Sequence, residues 1–201
     1  MLTNQNDIVC VGILCADILG KTIDQFPGKG KLGLVENINL EIGGCAANVA
    51  ISLAKIGLRS AIIGKIGDDS LGHFAKKALE HENVNINSLR IDPYVSTAAS
   101  MVMISADGER TILHSLDANE HFCFDDIHLD VIRQSKILLI AGTFLMPSFD
   151  GAGTEKLLKY ARQHGVLCCM DTAWDASGKW METIGTALPY LDWFMPSYEE
   201  A

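Results

Sequence analysis

The sequence lacks an excess of basic residues and any long apolar run. Its 201 residues include 16 Lys and Arg against 25 Asp and Glu, which gives a formal net charge of −9. Proteins that bind nucleic acid normally carry a basic patch or stripe, so this balance argues against a nucleic-acid partner. No run of about 18 apolar residues occurs, and the sequence therefore predicts no membrane span.

Paired cysteines are also missing. Six cysteines occur without a C-x-x-C pair and without the spacing of a disulfide scaffold. Most lie in apolar runs, where cysteine behaves as a small hydrophobic residue. The N-terminus carries no basic, apolar signal segment. Together these absences predict a protein of the reducing cytoplasm.

What the sequence does contain is a regular alternation of apolar runs and helical patterns. Hydrophobic residues make up 48% and charged residues 20%, as in ordinary globular domains. Buried strands are predicted at 7–13, 60–64, 135–142, 166–171 and 191–195. Helices are predicted between them, one ended by Gly57 and others at 71–80, 154–164 and 180–188. This alternation predicts an α/β fold with a doubly wound, mainly parallel sheet flanked by helices.

Two further blocks alternate apolar and polar residues, the pattern of strands with one solvated face. The first runs from 34 to 42, and the second comprises 97–105 and 109–114 around a turn at Asp107-Gly108. Asp-Gly between two such runs is a strong hairpin signal. Half-solvated strands do not belong in a buried parallel sheet, so we expect a small second sheet, inserted at about 30–42 and 96–115.

Gly43 and Gly44 separate a strand from the helix that contains Asn48. Two glycines at such a turn let the backbone approach a bound molecule, and the helix start presents free N–H groups. The amide of Asn48 can donate and accept hydrogen bonds to a polyol. Asp17 follows the first strand, where open α/β sheets place ligands. From these residues alone, a glycine-hinged βαβ unit with Asp17 as a turn residue remains equally open.

A longer window supports a functional interpretation. Gly43, Gly44, Asn48, Gly57 and Gly67 have the spacing of the first signature of the ribokinase-like (PfkB) carbohydrate kinases, and the chain resembles that family over its whole length. The matching segments also include Asp17, 67–72, 108–110 and 195–201.

The resemblance implies a ribokinase-like fold and ATP-dependent phosphorylation of a sugar hydroxyl, with Mg²⁺. It also implies that the small sheet is a lid over the sugar and a possible homodimer surface. Asp17 and Asn48 would bind sugar hydroxyls, and Gly43 and Gly44 would allow close backbone approach. Cys15 stands where some ribose-preferring relatives carry Asn, a departure that argues against ribose. Arg110 on the lid could reach an acidic or phosphorylated sugar.

The nucleotide side of the site is expected near the end of the sequence. The resemblance implies that Glu200 organises the Mg²⁺ shell through water, while Ser197 replaces the family's Asn. Asp171 ends a strand at the ligand-bearing edge, where it could face the phosphates or cap the next segment.

No catalytic base is predicted within the chain. The resemblance places the base and most of the nucleotide pocket downstream, so we expect the 201 residues to be a truncated and inactive part of a longer kinase. The segment 150–154 only approaches the family's Gly-Ala-Gly-Asp run, since Thr154 replaces the Asp, and is interpreted as a helix-entry loop. A nucleoside kinase and a non-catalytic sugar-binding protein remain alternatives.

Several other motifs favour structural roles. The G-x-G-x-x-G match at 28–33 follows Phe26-Pro27 rather than a strand, so the dinucleotide interpretation fails. Asp68 and Asp69 are predicted to cap a helix rather than to bind metal. Three histidines show no ligand spacing and are interpreted as structural or surface residues: His73, His81 and His114.

Overall fold

The computed structural model describes residues 6–201. In chain order the strands are β1 (Asn6–Gly12), β2 (Cys15–Lys21), β3 (Asn37–Gly43), β4 (Ser60–Ile63), β5 (Lys65–Gly67), β6 (Arg90–Asp92), β7 (Ala99–Ile104), β8 (Arg110–Ser115), β9 (Ser135–Thr143), β10 (Leu167–Thr172) and β11 (Trp193–Phe194). The helices are α1 (Cys45–Lys55), α2 (Ser70–His81), α3 (Leu129–Arg133), α4 (Ala152–Gln163) and α5 (Met181–Ile184). No helix within residues 6–201 is long and apolar enough to span a bilayer.

The core is a five-stranded parallel sheet in the order β11-β10-β9-β1-β4. Successive residues of a strand point to opposite faces. Val9 and Val11 of β1 therefore pack with α3, α4 and α5 on one face. Ile8 and Cys10 pack with α1 and α2 on the other. Both faces are covered, and the predicted doubly wound architecture is confirmed.

A second sheet of four strands, here called the small sheet, has the order β3-β2-β7-β8. The predicted hairpin is confirmed: β7 and β8 are antiparallel and are joined through Gly108, whose φ is +89°. The central strand β2 was not predicted from the sequence. It pairs antiparallel with β3 and parallel with β7.

Several element boundaries differ from the prediction. The strand expected at 34–42 begins only at Asn37, and α4 begins at Ala152, two residues earlier than expected. The helix expected at 180–188 was predicted too long. It ends at Ile184 as α5, and a one-turn 3₁₀ segment follows at Leu188–Tyr190. Pro189 stands in the first turn of that segment, where its missing N–H is not needed.

Candidate functional site

The Gly43-Gly44 turn lies where the small sheet, the core sheet and α1 meet. Gly44 precedes α1 with φ +96°, and a Cβ there would lie 2.4 Å from the carbonyl oxygen of Ile13. A Cβ on Gly43 would lie 2.0 Å from Oδ2 of Asp17. No other residue fits at either position without displacement. The absence of a side chain at Gly43 lets the Asp17 carboxylate lie beside the turn that opens α1.

Asp17 ends a chain of hydrogen bonds across the small sheet. The Cys15 thiol donates to Asp17 Oδ1 at 3.2 Å, and the Ser100 hydroxyl donates to Cys15 Sγ at 3.8 Å. Ser100 Oγ also lies 3.0 Å from Nδ1 of His114. Which of the two atoms donates in this contact depends on the tautomer of the His114 ring.

Burial lowers the pKa of His114, although the charges of Asp17 and Asp117 oppose it. The ring is therefore neutral at physiological pH. Burial likewise raises the pKa of the Cys15 thiol well above its usual range, with Asp17 adding to the effect. Both side chains act here as neutral hydrogen-bonding groups.

Cys45, the first residue of α1, lies near the predicted sugar-binding residue Asp17 and near the residues predicted on the nucleotide side of the site. The pKa of Cys45 is raised to about 11, mainly by burial, and the charges of Asp171, Glu200 and Asp17 contribute to this rise. The structure therefore brings these three predicted carboxylates around one helix start. Asn48 lies one turn into α1 and is exposed, so its amide is accessible to a ligand.

The second predicted group lies at the carboxyl end of β10. Glu200 Oε2 accepts hydrogen bonds from Thr172 Oγ1 and from the backbone N–H of Ser197, both at 3.0 Å. Burial raises the pKa of Asp171 to about 6, and the Glu200 charge adds to this rise. Ser197 thus supports Glu200 through its backbone, so the replacement of Asn by Ser leaves this particular contact intact.

This pair of carboxylates suits Mg²⁺ better than a metal with an all-protein site. The described residues contain no group of three or more His, Cys, Asp or Glu that could hold a metal ion. Mg²⁺ binds through one or two carboxylates and keeps several waters. A cation near Asp171 and Glu200 would also relieve the repulsion that raises the pKa of Asp171.

Arg110 is not brought to this site. It pairs with Ile104 at the hairpin end of β8, in the row of Lys21. Asp17 lies four residues along β2 from that row, or about 13 Å at the rise of a strand. The role of Arg110 stays a prediction.

Two cavities flank the aromatic ring of Phe144. One of about 560 Å³, here called the Asp150 cavity, is lined among others by His114, Phe144, Asp150, Asp175, Ser177 and Lys179. The other, of about 620 Å³, is here called the tryptophan cavity. It is lined among others by Phe144, Thr172, Trp174, Trp180, Phe194 and Glu200. Trp180 packs edge-on against Phe144 and Trp174, with ring centroids 5.3 and 5.4 Å apart.

Two residues of these cavities were missed as functional candidates. His114 was interpreted as structural, yet it lies in the Asp17 network and lines a cavity. Its polar neighbour Ser100 lies on another strand, and that register is not readable from the sequence. The segment at 150–154 does lead into α4 as predicted, but Asp150 itself faces the cavity. Asp69 caps α2 as expected, accepting from Gly72 N at 2.8 Å.

Comparison with known proteins agrees with this geometry. The model of the pfkB carbohydrate kinase family matches residues 5–201. The chain belongs to this family. It is 32% identical over 168 residues to the 5-dehydro-2-deoxygluconokinase of Geobacillus thermodenitrificans, covering 82% of this chain and 48% of that protein. It is 31% identical over 187 residues to 5-dehydro-2-deoxygluconokinase 2 of Bacillus cereus, and the match covers 92% of this chain and 54% of that protein.

Solved structures of this family share the fold. Arabidopsis thaliana ribokinase complexed with ribose and ATP matches with a TM-score of 0.79 at 24% identity, covering 97% of this chain and 61% of that chain. Ribokinase from Giardia lamblia matches with a TM-score of 0.80 at 16% identity, and the match covers 98% of this chain and 58% of that chain. The chain therefore spans about half the length of the curated relatives that it matches.

Proposed function

We propose that this pfkB-family chain forms the sugar-binding part of a kinase that transfers phosphate from ATP to a sugar hydroxyl. The observation that carries the proposal is the meeting of two groups at the start of α1. Asp17 is held against Gly43 on one side, and the charges of Asp171 and Glu200 reach Cys45 from the other. Phosphoryl transfer needs such an arrangement, because the acceptor and the nucleotide must lie close together.

Each group has a chemical role in this proposal. The Asp17 carboxylate accepts hydrogen bonds from sugar hydroxyls and orients the acceptor, and Asn48 adds an amide that can donate or accept. Gly43 and Gly44 keep the backbone open to the sugar. Asp171 and Glu200 would hold Mg²⁺ through water, and the ion would neutralise charge on the ATP phosphates.

We also propose that the 201 residues do not turn over by themselves. The matched relatives are about twice as long, and the family resemblance places the proton-accepting base outside this chain. Cytoplasmic location likewise stays a prediction.

Binding and turnover can be measured separately. Calorimetry of the purified chain with D-ribose, D-fructose, D-glucose, D-gluconate and adenosine tests the acceptor site. A coupled assay of ADP formation with ATP and MgCl₂ tests turnover. We expect sugar binding without ADP release from the 201-residue chain, and ADP release from a product extended by the in-frame codons beyond Ala201. Failure of all sugars to bind would refute the proposal.

The tryptophan cavity favours a nucleoside acceptor as the second candidate. Trp174, Trp180 and Phe194 line it close to Glu200, and such rings stack on a planar base. Adenosine binding tighter than that of every sugar in the same panel would select this candidate.

The small sheet supports a further proposal, that it serves as a lid and as a homodimer surface. One face carries the polar network of Asp17, Ser100 and His114. The opposite face exposes apolar side chains on all four strands: Ile18, Ile38, Leu40, Met101 and Leu113. Such a patch is self-complementary under two-fold symmetry, since the same residues meet across the axis.

A further inference from the structure

The Asp150 cavity is built by three separate parts of the chain. His114 belongs to β8, Phe144 and Asp150 follow β9, and Asp175 follows β10. Its volume of about 560 Å³ falls in the range of small-molecule sites. His114 links it to the proposed sugar site, because the same ring that lines the cavity contacts Ser100 in the Asp17 network.

One oxygen of Asp150 is held and the other is free. Oδ2 accepts hydrogen bonds from the backbone N–H groups of Phe144 at 3.0 Å and Met146 at 2.9 Å. Oδ1 is buried and has no partner among the described residues. Among the residues that the structure describes, the only other buried side-chain oxygen or nitrogen without a hydrogen-bond partner is Thr143 Oγ1. Buried polar atoms without a partner are rare in folded proteins and destabilise them, so above about pH 7, where Asp150 is ionised, Oδ1 is an acceptor that lacks a donor.

The buried charge in this cavity is negative. Asp175 is 5% exposed. Burial raises its pKa, but hydrogen bonds from Ser177 and the Trp180 backbone outweigh this and lower it overall. Asp175 therefore stays ionised and faces the same space as Asp150. Lys179 is the one Lys or Arg lining the cavity within the described residues, and it is exposed.

His114 is neutral and adds no positive charge to this lining. The cavity therefore matches hydrogen-bond donors of a ligand and repels negative charge, since like charges in a partly buried site disfavour each other.

We propose that the Asp150 cavity binds one end of the acceptor sugar and selects a hydroxyl over a carboxylate there. The inference rests on the proposed sugar-kinase function and narrows its substrate class to uncharged sugars. The matched relatives are named for a derivative of gluconate, which carries a carboxylate. On this proposal the present chain prefers a different acceptor.

The test compares sugars that differ only at one end. Calorimetry at about pH 8 would measure the affinity of the protein for D-glucose against D-glucuronate, D-galactose against D-galacturonate, and D-glucitol against D-gluconate. In each pair that binds, we expect the neutral sugar to bind about tenfold tighter or more, because the carboxylate of the acidic sugar is repelled by Asp150 and Asp175.

The variant Asp150→Asn keeps an oxygen for the two backbone donors and turns an amide N–H₂ toward the cavity. We expect it to reduce the preference for neutral sugars about tenfold. Asp130→Asn removes the same charge at an exposed position on α3 and should leave the preference unchanged.

Each outcome bears on the proposal. If the wild-type protein bound the acidic sugars as tightly as the neutral ones or more tightly, the proposed selectivity would be wrong, but the proposed sugar site would not be contradicted. If the folded Asp150→Asn protein kept the same preference for neutral sugars, Asp150 would not be the residue that causes the selectivity. If no sugar binds, the proposed function fails and this inference fails with it. The wild-type comparison holds even if the variant does not fold.

Discussion

Single residues at the Gly43-Gly44 turn decide whether Asp17 can face a sugar. Gly43→Ala puts a Cβ 2.0 Å from Asp17 Oδ2, so the carboxylate must move. We expect sugar affinity to fall by about tenfold or more, measured by calorimetry with the tightest-binding sugar of the five-member panel.

Gly57→Ala is the matched control at the other end of α1. No atom lies within 4 Å of the added Cβ, and only the φ of +90° is strained. This variant should lose about 1 kcal/mol of unfolding free energy and keep its sugar affinity. Equal loss of affinity in both variants would contradict a direct role for Gly43.

Asp150 makes stability depend on pH. Burial raises its pKa to about 7, so between the unfolded value of 3.8 and about 7 the folded state holds a proton that the unfolded state releases. Its contribution to stability is therefore complete below about pH 4 and is lost as pH rises through 7. Urea unfolding at pH 5 and 8 should show the wild type losing up to about 2.7 kcal/mol relative to Asp150→Asn, since about two pH units below the folded pKa are crossed at about 1.36 kcal/mol each. A difference of zero would show that Asp150 ionises freely in the folded state.

Among single residues, the sequence predicted the site residues that belong to a recognisable motif. Asp17, Gly43 and Gly44 could be predicted because glycine spacing is itself a signal, and the structure brings them together. His114 and Asp150 could not, because their roles depend on partners across strands or on an oxygen left unpaired by loop geometry.

Among the elements, the link from β1 to β2 is held by one buried side chain. Asn119 Oδ1 accepts from Leu14 N at 3.3 Å, and its Nδ2 donates to Leu14 O at 3.0 Å. Asn119→Ala leaves both backbone groups of Leu14 unpaired. We expect a loss of about 2–4 kcal/mol in unfolding free energy by urea denaturation.

Asn87→Ala is the corresponding exposed control and should change stability by less than about 0.5 kcal/mol. If both variants lost the same small amount, Asn119 would not be what fixes the link between the two sheets.

The elements of the core were the most predictable. Long apolar runs such as β9 and the glycine at the end of α4 are local signals, and both appear where expected. β2 was missed because seven residues directly after a buried strand looked like a turn. These residues form a strand only because they pair with β3 and β7. Pairing between segments that are far apart in the sequence cannot be predicted from the local residue pattern.

For the whole molecule, association is expected through the apolar face of the small sheet. Leu113 lies on that face and is 60% exposed, while its neighbour Ile112 lies on the opposite face and is 54% exposed. Leu113→Asp should convert a dimer to a monomer in sedimentation velocity, because it buries an unpaired charge at the interface. Ile112→Asp should leave the dimer intact. A wild-type protein that stays monomeric at about 100 μM, where even weak micromolar dimers would form, would exclude this surface as a stable interface.

The small sheet is built from two excursions of the chain from the core: β2 with β3, and the β7–β8 hairpin. It therefore cannot be exchanged between relatives as one cassette. A chimera that transplants the sugar-covering face from another kinase must exchange both segments together. Among natural sequences, acceptor preference should change by side-chain replacement on fixed strands more readily than by gain or loss of the sheet.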